Sequence, residues 1–156
     1  MTLTRYMELI TAFAIADPDL LHTEEAPAIF DCSADEAAAI LQDIGDHMVL
    51  LVPPYAKSPK KNNANGNIWL KEGLVVCVQY VPLDNMRRKT EIIDKAEKVL
   101  DRLYLYFNRL RAVPPVPGQE PFMFDPQIWN GDSIGPIGEN HFGYYAELGI
   151  RDSIKL

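Results

Sequence analysis

The residues best suited to chemistry in this chain are three histidines (His22, His47, His141), two cysteines (Cys32, Cys77) and a scatter of carboxylates. Zinc sites need ligands at fixed spacing, such as Cys-x-x-Cys or two His one helical turn apart, and none of these residues is so spaced. No metal or other cofactor is therefore expected. A thiol nucleophile needs a base beside it, and Cys77 with His47 or His141 is the pair the sequence offers. Cys77, however, sits in the apolar run Leu74 to Val78, where burial would raise its pKa and leave it inert. Both cysteines read as reduced, buried thiols rather than a disulfide framework. The carboxylates Asp31, Asp35, Glu36, Asp43, Asp46, Asp132 and Glu139 could supply an acid-base pair or a cation site. Capping and solvated loops account for them more simply. The glycines between Gly131 and Asn140 have neither the G-x-x-x-x-G-K-[ST] spacing nor a G-x-G-x-x-G that opens a helix, so no phosphate cradle is expected. No enzyme is expected either.

Two cationic clusters remain, Lys57, Lys60 and Lys61, and Arg87, Arg88 and Lys89. The second falls at the start of a long helix, where cations oppose the macrodipole, so it calls for an anionic partner or for solvation. Trp69 and Trp129 are candidate aromatic anchors of an interface. Ordinary packing over a core explains them equally well. A formal charge of −7 opposes general attraction to nucleic acid or an anionic membrane. There is no aromatic RNP-like strand for stacking RNA bases, and no sequence-specific nucleic-acid binding is expected.

These residues must be held by a framework, and its clearest part is Asp84 to Ala112. Met86, Thr90, Ile93, Ala96, Leu100, Leu103, Phe107 and Leu110 recur three or four apart, and Ile92, Val99 and Tyr106 widen the stripe, which predicts one helix of roughly 40 Å. Asp84 is its expected cap. Leu3 to Ala16 predicts a leading helix, stopped by Asp17-Pro18. Ala28 to Cys32 reads as a short strand. Ser33-Ala34-Asp35-Glu36 matches a capping box and opens a helix that closes near Gly45. Met48 to Val52 and Ile68 to Val81 read as the arms of a hairpin, with residues 53–67 as a long polar tip containing an Asn65-Gly66 turn, and with Gly73 as a possible bulge. Residues 113–140 read as a Pro/Gly-rich insertion that is loop-like after Phe124. Phe142, Tyr144, Ala146, Leu148 and Ile150 alternate with smaller or polar residues, which predicts a strand with one buried face.

The 156 residues, 47% apolar and 24% charged, fit a single α+β domain over 1–156 with a sizeable core. The order of elements after the leading helix, β-α-β-β-α-β, predicts a two-layer sandwich of ferredoxin-like or related type, with a mostly antiparallel sheet and helices on one face. No apolar run is long enough to span a bilayer. The first residues lack a basic leader and cleavage pattern, so synthesis and residence in the cytoplasm are expected.

The leading helix, the long polar hairpin tip, the strand Leu74 to Val81 running into a charged helix with Lys95-Ala96-Glu97, and the alternating last strand together form a layout. It resembles that of tail terminator and head-tail completion proteins of tailed bacteriophages. The resemblance covers about Ile68 to Arg151 as an order of elements. It implies a small, acidic, non-catalytic structural protein that forms a homo-oligomeric ring at the tail end or neck. Its partners would be copies of itself and other tail or neck proteins, and its place the virion, after assembly in the host cytoplasm. The lysines at 57, 60 and 61 would then touch an acidic neighbouring surface. The alternative is a stand-alone ligand-binding or regulatory domain with the Gly131 to Asn140 loop as a pocket wall.

Overall fold

A computed structural model describes residues 1–62 and 66–153, with side chains for these except at 60–62, 66, 67, 86 and 153. The leading helix α1 spans Leu3–Ala16 and is capped by Thr2, whose hydroxyl accepts from the Arg5 amide at 3.2 Å. Tyr6, Leu9, Ile10, Phe13 and Ala14 form its buried stripe. Strand β1 (Ile29–Asp31), helix α2 (Ala34–Asp43) and strand β2 (Val49–Val52) follow, and β1 and β2 pair in parallel. The capping box forms as its residues require, with the Glu36 carboxylate accepting from the Ser33 amide at 3.2 Å.

The expected long tip is mostly strand. Ala56–Asn62 is β3, paired antiparallel with the start of β4 (Gly66–Tyr80) from Ala56 opposite Glu72 to Asn62 opposite Gly66. Pro53 and Pro54 separate β2 from β3, so both lie on the same side of β4, one after the other. The expected turn residue Asn65 lies outside the described residues. The long helix, α3, is Met86–Ala112; Asn85 caps it instead of Asp84, its side-chain oxygen accepting from the Arg88 amide at 3.2 Å.

The expected insertion is likewise largely strand. Phe124–Ile137 is β5, paired antiparallel with β6 (His141–Ser153), and the turn between them contains Gly138 at φ +61°. The register shifts between Asp125 and Trp129 and again between Ile134 and Ile137, where Pro126 and Pro136 cannot donate to the ladder. Among the described residues the result is an α+β fold with three helices and one mixed sheet in the order β1-β2-β4-β6-β5, with β3 beside β4.

The helices do not share one face, as alternation along the strands makes clear. Leu50, Val52, Val75, Cys77, Ala146, Leu148 and Ile150 pack with α1 and α3. Val49, Leu51, Val76 and Val78 pack with Ala37 and Leu41 of α2 on the other side. Strands β2 and β4 are therefore apolar on both faces, as a doubly covered strand must be. Gly73 makes no bulge; it pairs regularly with Leu148, and a Cβ there would stand 2.7 Å from the Tyr6 hydroxyl oxygen. The missing side chain is what lets Tyr6 seat.

Candidate functional site

The β3–β4 arm carries the first cationic cluster. Lys57 Nζ lies 4.2 Å from the centroid of the half-buried Trp69 ring, a cation–π contact across the two strands. Lys60 and Lys61 pair with Ile68 and Asn67 in the backbone register, and their side chains lie outside the described residues. At the base of the arm Lys71 is buried, hydrogen-bonded to Asp152, with its ammonium 5.2 Å from the Tyr55 ring centroid. Burial is the largest single effect and works against its charge, but the hydrogen bond and charge of Asp152, with Tyr55 and the amino terminus, together outweigh it and hold its pKa above the ordinary lysine value. The start of β4 is thereby tied to β6, with which it also pairs from Ile68 opposite Ser153.

The second cluster is dispersed in its contacts. Arg87 is exposed and pairs with Glu91 one turn on at 3.7 Å. Arg88 reaches Asp46, after α2, at 3.4 Å, and Lys89 Nζ stands 4.6 Å from the Phe142 ring centroid. Nearby anions of the chain itself thus partly meet the cost of cations at a helix start. Trp129 is half-buried on the core, edge-on to Tyr104 at 5.3 Å and to Phe124 at 6.1 Å. The structure brings Lys57 and Trp69 together and leaves Trp129 and the Arg87 to Lys89 cluster apart from them.

The potentially reactive groups are dispersed through the fold, most of them buried or hydrogen-bonded. Cys77 is fully buried, and burial pushes its thiol well above its usual pKa. Cys32 is buried in the opposite cluster and is also free. His22 Nδ1 accepts from the Ala28 amide at 2.9 Å, and His47 Nε2 lies 3.1 Å from the Pro27 carbonyl oxygen. His141 is buried beside Tyr80, and burial lowers its pKa. It borders a cavity of about 290 Å³ with Gln42, Asp46, Tyr80 and Glu139. Among the described residues no three His, Cys, Asp or Glu side chains are grouped to hold a metal ion. Nor is any helix among them long and apolar enough to cross a membrane.

Two features are invisible to motif reading. Asp17, read in the sequence as part of a helix stop, is buried and bound twice by the Arg102 guanidinium, at 2.6 and 3.0 Å, and Arg102 also reaches Asp19 at 2.7 Å. This fork fastens the end of α1 to α3. Lys95 meets Asp19 at 3.5 Å. A cleft of about 460 Å³ opens between the start of α1 and the segment after α3, lined by Arg5, Leu9, Leu110, Val113, Val116 and Phe122 among others. The wall expected from residues 131–140 is β5 and its turn instead. No protein-family model and no curated protein matches the chain.

Proposed function

We propose that this chain is a non-catalytic structural protein that assembles with copies of itself into a ring, of the kind that closes a phage tail tube or joins it to the neck of the particle. Its place would be the virion, after assembly in the host cytoplasm, with tail or neck proteins as further partners. The observation that carries this reading is the β3–β4 arm, which adds an edge strand bearing three lysines beside a half-buried Trp69 on a chain of charge −7. Such a feature contributes little to one chain's core and is well made for contact with an anionic surface. Counting β2 and β3 as one strand interrupted at Pro53-Pro54, the order from Ile29 to Phe124 is β-α-β-β-α-β. We read the fold as a ferredoxin-like plan elaborated by β6 and by α2 on the second face. Mass measurement in solution by sedimentation tests the assembly: a discrete oligomer is expected, and a strict monomer at high concentration would refute it.

The cleft at Leu9, Leu110 and Phe122 favours a second reading, a small-ligand-binding or regulatory domain. A ligand screen read by thermal shift separates the two. A stabilising ligand lost on Leu110→Arg, with no oligomer in solution, would support the second and displace the first.

A further inference from the structure

The sheet face that carries α2 is only partly covered. Leu74, Ile134 and Tyr145 are half-buried at the margin of the cluster that Ala37 and Leu41 of α2 join, and Glu72, Asp132 and Glu147 are exposed around them. The register places these six on one face: Leu74 is opposite Glu147, Asp132 opposite Tyr145, and Glu72 two residues before Leu74. Arg151, on the same face, is already engaged by Asp125 at 2.7 Å. The neighbouring helix adds only acids, the exposed Asp35, Glu36 and Asp43. Between residues 6 and 56 the chain has ten carboxylates and no Lys or Arg. An apolar centre inside a polar rim is the anatomy of a protein contact, and apart from Arg151, which Asp125 holds, this rim is acidic.

The complementary surface is on the chain itself. Lys57 stands over Trp69 on the α1/α3 side, since Trp69 and Lys71 lie opposite Asp152 and Ile150, and Ile150 packs with those helices. The sheet separates Lys57 from the acidic face, so within one chain they do not meet. Two chains stacked front to back would bring them together. We infer that the Glu72–Asp132–Glu147 face receives the lysine-bearing β3–β4 arm of a second copy. Such a contact uses two different patches, so it is heterologous, and repeating it gives a closed ring when the rotation permits. A polyanion is excluded as occupant by the sign of the rim. This inference rests on the proposed self-assembly and specifies its contact.

The test uses two charge-reversed variants of the full chain, Lys57→Glu/Lys61→Glu, at the two β3 positions that share a face in the register, and Glu72→Lys/Glu147→Lys, each checked for folding by circular dichroism and then measured by sedimentation. Each alone should weaken assembly by about tenfold or more in midpoint concentration, because like charges are then juxtaposed. Mixed together they should assemble again, because the reversed arm of one meets the reversed face of the other. Assembly of the wild type with both variants unimpaired, or impaired variants that do not rescue one another, would overturn this contact while leaving self-assembly standing. A wild type that stays monomeric would overturn both.

Discussion

At the scale of single residues, two buried groups carry sharp expectations. His141 is enclosed with Tyr80, and the carboxylates Asp46 and Glu139 line the same cavity. Burial lowers its pKa more than the Ile137 backbone and Glu139 raise it. The folded state therefore binds this proton less readily than the unfolded chain, whose histidine titrates at about 6.5. The stabilisation is complete above that pH and is lost as pH falls below it, towards the folded value. Urea denaturation at stepped pH should show this loss, and His141→Phe should remove that part of the slope. Tyr6 is the second case. Its hydroxyl is buried and no hydrogen bond to it is found among the described residues, and burial raises its pKa. Tyr6→Phe should therefore be neutral or stabilising, by up to about 1 kcal/mol. Gly73→Ala should cost about 1–3 kcal/mol, because the new methyl meets that hydroxyl at 2.7 Å. Adding Tyr6→Phe to Gly73→Ala should recover most of the loss, and a double variant no better than the single one would refute this account of the glycine.

At the scale of elements, α3 is the hub, with Ile92, Ala96, Val99, Leu100, Leu103 and Phe107 buried against the sheet and α1. Phe107→Ala should lower unfolding free energy by about 3–5 kcal/mol. Arg102 acts differently, through the Asp17 fork; it is one-third exposed, so its loss should cost about 2 kcal/mol rather than the larger figure for a wholly buried pair. A double-mutant cycle of Asp17→Ala with Arg102→Ala should show the two losses to be far from additive. Elements set by their own periodicity, α1, α3 and β6, were legible in the sequence because one buried face writes a clear repeat into each. Strand β3 was not: Lys57, Ser58, Pro59, Lys60 and Lys61 make it an edge strand defined by its partner β4, and lysine and proline on an edge discourage further pairing. Strand β5 was hidden by Pro126, Pro136 and two register shifts that break the alternation. The helices' division between two faces was written in the unbroken run Val49 to Val52, buried at every position, but such a run also fits a strand in a thinner fold. The Lys57–Trp69 pair was legible only as two candidate residues, because their meeting depends on the β3–β4 register.

At the scale of the whole molecule, the charge distribution decides how copies should behave. Two bodies of charge −7 with centres about 40 Å apart repel by about 5 kcal/mol in unscreened water. At about 0.1 M salt the screening length is about 10 Å, so repulsion at that separation falls more than tenfold. Lysine–carboxylate pairs in contact, each worth about 1–4 kcal/mol of attraction at 4 Å before desolvation, span less than a screening length and survive better. At about 1 M the length is about 3 Å, and they weaken too. Self-association through the arm and the acidic sheet face should therefore be strongest near 0.1 M salt and weaker both well below and well above it. Sedimentation at a series of salt concentrations reads this directly. Association that rises steadily up to 1 M would mean that apolar surfaces such as Leu105, Val113 and Val116, exposed at 50%, 62% and 60%, hold the copies together instead, because apolar burial gains from salt while charge pairing loses.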